Sequence, residues 1–173
     1  MPATFEYYCT PKLDRDAFLV AHVTNWQNLN LQNAGVNLFL DDAFIGSSAL
    51  DVQNTRDTLD FSLGRDSRII VERVKKKDFT SGQTVGANQK QTIGWDITVR
   101  NTKNYPVRLN LGDQVPLTRT DEISVDVTDK GGAAYNKETG KLTWVLDLKP
   151  STTQKVSFSY TVKYPKNRRL NLE

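Results

Sequence analysis

The chain has 173 residues, 38% hydrophobic and 25% charged, and its 23 basic and 20 acidic side chains leave a net charge of +3. That length supports one large domain or two small ones, with a core that needs no metal or disulfide staple. The near balance of charge argues against nucleic acid or an anionic membrane as partner, and no apolar run is long enough to span a bilayer.

In chain order, Phe5-Glu6-Tyr7-Tyr8 is a short β-prone aromatic run, closed by Pro11 and the charged Asp14-Arg15-Asp16. Residues 17–26 form a strand with apolar residues on both faces, hence central in a sheet. Asn25, Asn28, Asn30 and Asn33 then mark a loop ending at Gly35. Residues 36–40 and 43–50, on either side of the turn-prone Asp41-Asp42, predict a hairpin, with a bulge at Gly46. Leu59, Phe61 and Leu63 alternate with Thr58, Asp60 and Ser62, Gly64-Arg65-Asp66 turns the chain, and residues 67–77 return as a long strand.

Gly, Ser, Thr, Gln and Asn dominate residues 78–88, which read as a boundary that is also the tip of a hairpin. Beyond it Ile93, Trp95, Ile97 and Val99 alternate with polar neighbours, as do Tyr105, Val107, Leu109 and Leu111, then Ile123, Val125 and Val127. Gly140 supplies a bulge-type turn, and two further alternating strands follow: Leu142, Trp144, Leu146, Leu148, then Val156, Phe158, Tyr160, Val162. Strands with one wet face need a second sheet to cover the other. The expectation is an all-β protein of two β-sandwich-like halves. Residues 1–80 form a β-rich half and residues 81–173 an immunoglobulin-like one, without the disulfide of true immunoglobulin domains.

Candidate chemistry is sparse. His22 is the sole histidine and lies within an apolar strand, where a satisfied structural role is expected. Cys9 is the sole cysteine and has no histidine beside it in sequence, and two such residues cannot make a zinc site. Asp51, Asn54, Asp57 and Asp60 cluster without the spacing of a calcium loop. Lys75-Lys76-Lys77 lacks interleaved aromatics and reads as a solvated edge that deters strand addition. Paired carboxylates on wet faces leave an acid-only glycosidase as the one enzymatic alternative. Three residues stand as candidate partner contacts: Arg65 and Asp66 at their turn, and Trp26 as a surface aromatic beside the Asn-rich loop. No catalytic residue, cofactor or metal is expected.

Several blocks then carry a resemblance: Tyr7-Tyr8 with Pro11-Lys12-Leu13-Asp14, Ala17 to Ala21, Ser62-Leu63-Gly64-Arg65-Asp66, Asp113-Gln114-Val115-Pro116, Gly140 to Trp144, and Tyr160 to Pro165. In order and spacing they resemble the C-terminal region of bacterial mucoidy-inhibitor-A-like proteins, a family built around a domain of unknown function, in its Bacteroidetes form. The resemblance implies a piece of a longer envelope protein, in the periplasm or at the outer membrane, with a coiled-coil segment before this region. It offers no catalytic residues. The expected function is therefore a non-catalytic interaction or structural module that binds a protein partner or another copy of itself. The alternative is a carbohydrate-binding module for exopolysaccharide, using Tyr7, Tyr8 and Trp26 as stacking platforms.

Overall fold

Residues that alternate apolar and polar make strands with one face to bury. The computed structural model, which describes residues 3–40, 43–53, 57–77, 82–168 and 170, packs such strands into two sheets. The Asp41-Asp42 turn, Asn54 and the 78–81 part of the expected boundary lie outside the described residues.

The larger sheet holds β1 (Ala3–Thr10), β2 (Asp14–Thr24), β5 (Thr58–Arg65), β9 (Val107–Gln114), β11 (Ala134–Asn136) and β12 (Lys141–Leu148), in the order β11-β12-β9-β1-β2-β5. The smaller holds β6 (Ile69–Lys75), β8 (Asn88–Asn101), β10 (Ser124–Asp129) and β13 (Thr153–Pro165), in the order β10-β13-β8-β6, with β7 (Gly82–Val85) also on β8. β3 (Ala34–Leu40) and β4 (Ala43–Leu50) form the expected hairpin, which stands as a two-stranded sheet of its own and whose register slips beside Gly46. The all-β sandwich is thus the fold.

Its two sheets each draw strands from both sides of residue 80. β6 pairs antiparallel with β8, as the long hairpin across residues 78–88 requires. β1 reaches much further along the chain and runs parallel to β9, with Tyr7, Tyr8 and Cys9 opposite Leu109, Asn110 and Leu111. Residues 1–80 and 81–173 therefore share one core: Tyr7, Cys9, Ile69 and Val71 pack in the same buried cluster as Ile93, Ile97, Leu109, Trp144 and Phe158. β12 and β13 lie in different sheets, so the turn between them, with Ser151 at φ 53°, carries the chain across the sandwich. The Trp144 and Phe158 rings meet across the interface at 5.8 Å between centroids.

Two sequence expectations need correction here. Trp26 is not a surface aromatic: it is 8% exposed and packs with Val23, Leu50 and Leu59 in a second buried cluster beneath the β3–β4 hairpin. It opens a 3-10 turn, Trp26–Leu29, bracketed by Asn25 and Asn30 in the left-handed region (φ 58° and 47°), which asparagine tolerates better than most residues. Those two kinks fold the loop inward. Tyr105 does not share the buried face of β9, because Pro106 holds it in the preceding turn, where it is half exposed.

One polar contact crosses the core. Arg73 of β6 donates from Nε to Asp113 Oδ2 of β9 at 2.8 Å and from Nη2 to Oδ1 at 3.3 Å, while its guanidinium lies 3.4 Å from the Trp95 ring centroid. Both side chains are buried, so each needs the other to offset its lost hydration. Asp113→Ala should destabilise the fold by about 3–5 kcal/mol in urea unfolding, since it strands a buried guanidinium. Replacing both partners, Arg73→Met with Asp113→Leu, should recover most of that loss. A double variant no better than Asp113→Ala would contradict this account of the pair.

Candidate functional site

Three turns meet at one end of the sandwich, and hydrogen bonds rather than apolar contacts hold them together. They are residues 66–68 between β5 and β6, 102–106 between β8 and β9, and 149–152 between β12 and β13. Asn101, fully buried, is their hub. Its Nδ2 donates to the carbonyls of Tyr105 (3.0 Å), Lys149 (3.1 Å) and Leu148 (3.4 Å), and its Oδ1 accepts from the Lys103 amide at 2.9 Å. The Thr102 amide and hydroxyl both donate to Arg68 O, and the Ser151 amide donates to Lys103 O.

This frame carries Lys103 inward until only 3% of it is exposed. An ammonium has three protons to place. Here they go to Asp66, with which Lys103 forms an ion pair, to the Tyr7 hydroxyl, and to the Tyr105 hydroxyl at 2.8 Å. The Tyr7 hydroxyl in turn donates to Asp66 Oδ2 at 2.9 Å, and the Arg68 amide donates to Asp66 Oδ1 at 3.0 Å. The cation also lies 4.9 Å from both the Tyr7 and the Tyr105 ring centroids.

These contacts fix the protonation states. Burial pushes the Asp66 carboxyl up, but hydrogen bonds from Lys103, the Arg68 amide and Tyr7 outweigh it and hold it at about 2. Burial pushes the Tyr7 phenol up to about 12, with Lys103 opposing and Asp66 adding to the shift. Burial alone would lower Lys103, but its bonds to Asp66, Tyr105 and Tyr7 raise it above the ordinary lysine value. Anion, neutral phenol and cation thus coexist across the neutral range.

Above this cluster opens a cleft of about 350 Å³, walled by Phe5 and Tyr105 and edged by Arg68 and Arg108. Phe5 is 54% exposed and Tyr105 45%, large apolar surfaces to leave in water side by side.

The sequence candidates fall in different places. Asp66 is turned inward to Lys103, so of the candidate pair Arg65 and Asp66 only Arg65 faces solvent. Arg65 pairs with Asp14 at 3.1 Å and Asp16 at 3.1 Å and lies over the Phe18 ring. The chain turns at residues 66–68, slightly later than the Gly64-Arg65-Asp66 turn expected, because β5 continues through Arg65. Trp26 and Tyr7 are buried, so of the three expected sugar platforms only Tyr8 is exposed.

His22 lies on the outer face of the larger sheet, where its Nδ1 is 2.6 Å from Asp60 Oδ1 and its Nε2 is 3.2 Å from the Tyr8 hydroxyl. Cys9 is buried against the Asp14 and Arg15 carbonyls, and burial, with Asp14 and Asp16 adding to it, pushes its thiol up to about 12. Among the described residues, no three His, Cys, Asp or Glu side chains gather as metal ligands. Lys103 is the residue that sequence reading missed, since a lysine in a polar turn has no periodic signal to mark it.

The shifts carry a pH signature. Asp66 has a folded pKa below its unfolded value, so its stabilisation is present above about pH 4 and lost as pH falls toward 2. Tyr7 and Lys103 are raised, so their contributions are complete below about pH 10 and lost above it. Asp66→Asn should cost on the order of 2 kcal/mol at pH 7 and flatten the acid limb of a stability profile. A smaller acid limb should remain from Asp96, which Lys155, Ser157 and Lys76 hold at about 2 against its burial. An acid limb identical to that of the unaltered chain would contradict the assignment.

No match was found among curated proteins or among solved structures. No helix among the described residues is long and apolar enough to cross a membrane. The model of one family, described as a domain of unknown function (DUF4139), matches residues 10–166, which covers all three turns of the site and every strand of the two sheets except β1, of which it takes in only Thr10. The chain belongs to the DUF4139 family of domains of unknown function.

Proposed function

We propose that this chain is a non-catalytic interaction or structural module of a larger bacterial envelope protein, binding a protein partner or another copy of itself. The observation that carries the reading is the end of the sandwich around Lys103. Its ionisable groups are locked into one another, and none of Tyr7, Asp66 or Lys103 exchanges a proton near neutral pH. General acid–base chemistry needs a group poised near the working pH, which this cluster does not provide. Phe5 and Tyr105 stand exposed beside it, as the surface of a recognition site does.

The envelope location and the kinship with mucoidy-inhibitor-A-like proteins rest on the block-by-block likeness that runs from Tyr7 to Pro165. A polysaccharide ligand is the weaker reading, since Trp26 is buried beneath the hairpin and cannot stack on a sugar.

Analytical ultracentrifugation of the chain, together with crosslinking in cells that express the full-length protein, tests the reading. It predicts either a concentration-dependent dimer or a specific crosslinked envelope protein, reduced at least several-fold at unchanged thermal stability by Phe5→Ser, which alters none of the partners of Lys103. A chain that stays monomeric at high concentration and crosslinks to nothing would overturn it.

A further inference from the structure

The β3–β4 hairpin joins the body of the fold through one face. Val36 and Leu50 pack on the second buried cluster, so alternation turns Asn37 and Phe39 to the other side. By the same count from Leu50, Phe44 would face inward. The register slip beside Gly46 prevents this: Leu38 pairs with Gly46 but Phe39 pairs with Phe44, which makes Ile45 an extra residue and re-aims Phe44 outward. The Phe39 and Phe44 rings then meet edge to face at 5.6 Å between centroids, 62% and 59% exposed. Among the described residues they are the two most exposed aromatic side chains, and Phe5 in the wall of the cleft is the third. A bulge that turns a second phenylalanine into water serves contact with another molecule better than the packing of a single copy.

The cleft at the Lys103 end is a complementary surface on the same chain. Phe5 and Tyr105 give it exposed apolar walls. Its lining charges are Lys103, Arg68 and Arg108 against Asp66, and Glu6 answers Arg108 at 3.5 Å from beside it, so one positive charge is left over. Arg68 carries that charge at the rim. Its side chain is more than half exposed and meets Asp66, which Lys103 already holds, at 3.4 Å. The hairpin has the opposite balance. Residues 34–50 carry two charged side chains, Asp41 and Asp42, and both are acidic.

We infer that the cleft of one chain receives the Phe39–Phe44 face of the hairpin of a second copy. The inference rests on the reading of the chain as an interaction module and names its partner. Aromatic rings exposed on both surfaces leave water together, and the acidic arm brings its charge to the arginine-edged rim. An anionic bilayer is the poorer cover for the same face, because it repels Asp41 and Asp42. Arm and cleft are different surfaces, so every copy offers one of each. Association then closes into a dimer or ring, or extends further.

The test mixes two variants of the whole chain. Phe39→Thr with Phe44→Thr removes the rings of the arm and keeps its β propensity, and Phe5→Ser removes a wall of the cleft. In analytical ultracentrifugation the unaltered chain should self-associate with concentration. Each variant alone should do so about tenfold or more weakly at unchanged melting temperature. Mixed in equal amounts, with one of them fluorescently labelled, the two variants should bind each other about tenfold more tightly than either binds itself, because one keeps an intact arm and the other an intact cleft. As an independent readout, a concentration series of the unaltered chain labelled with 15N should shift the amides of residues 36–39 and 44–47 and those of Phe5, Leu19 and Tyr105 with one midpoint. The inference is overturned if the chain stays monomeric, if the arm variant associates as the unaltered chain does, if the mixed variants remain apart, or if liposomes rather than other copies cover the arm. Loss confined to Phe5→Ser would remove the arm and leave the module reading standing, whereas absence of both self-association and a crosslinked partner would remove the module reading itself.

Discussion

A full positive charge sits at the end of this sandwich where almost no water reaches it, and the local structure is built to accommodate that charge. An isolated buried ammonium would cost several kcal/mol or lose its proton. Lys103 keeps its proton because Asp66, Tyr7 and Tyr105 take all three of its hydrogen bonds. Those partners come from β1, from the turn after β5 and from the turn before β9, segments far apart in sequence. Satisfying one lysine therefore fixes how three parts of the chain meet. Asn101 does the same for the backbone, tying residues 101–105 to the end of β12 through its amide.

Much of the strand content was legible because alternation is a local signal. β8, β12 and β13 follow their apolar residues closely, and Gly46 marks the slip in the β3–β4 register. Alternation says which face is buried but not which strand lies next door. Hence the chain reads as two halves, whereas β1 pairs with β9 and the sheets draw on both.

The polar core was partly legible. Arg73 shares inward parity with Ile69 and Val71, and Asp113 shares it with Leu109 and Leu111. A charged residue at an apolar position on each of two strands is a readable hint of a buried pair. Trp26 misleads because an asparagine-rich loop looks like surface, while two left-handed asparagines turn its tryptophan inward. Lys103 gives no hint at all. Its burial depends on three turns converging, which no local pattern encodes.

The functional reading follows from what is fixed and what is left open. The cluster's charges are locked, while the apolar walls and arginines above it are exposed. That division suits recognition, where a rigid base presents a surface, better than it suits proton transfer. The most direct test is the charge state of Lys103 itself, followed through its side-chain 15Nζ resonance as pH is varied. The account predicts an ammonium signal that persists with slowed proton exchange and does not titrate between pH 5 and about 9, below the ordinary lysine value. A resonance that titrates near neutrality would contradict it, because Lys103 would then be a group able to give and take a proton.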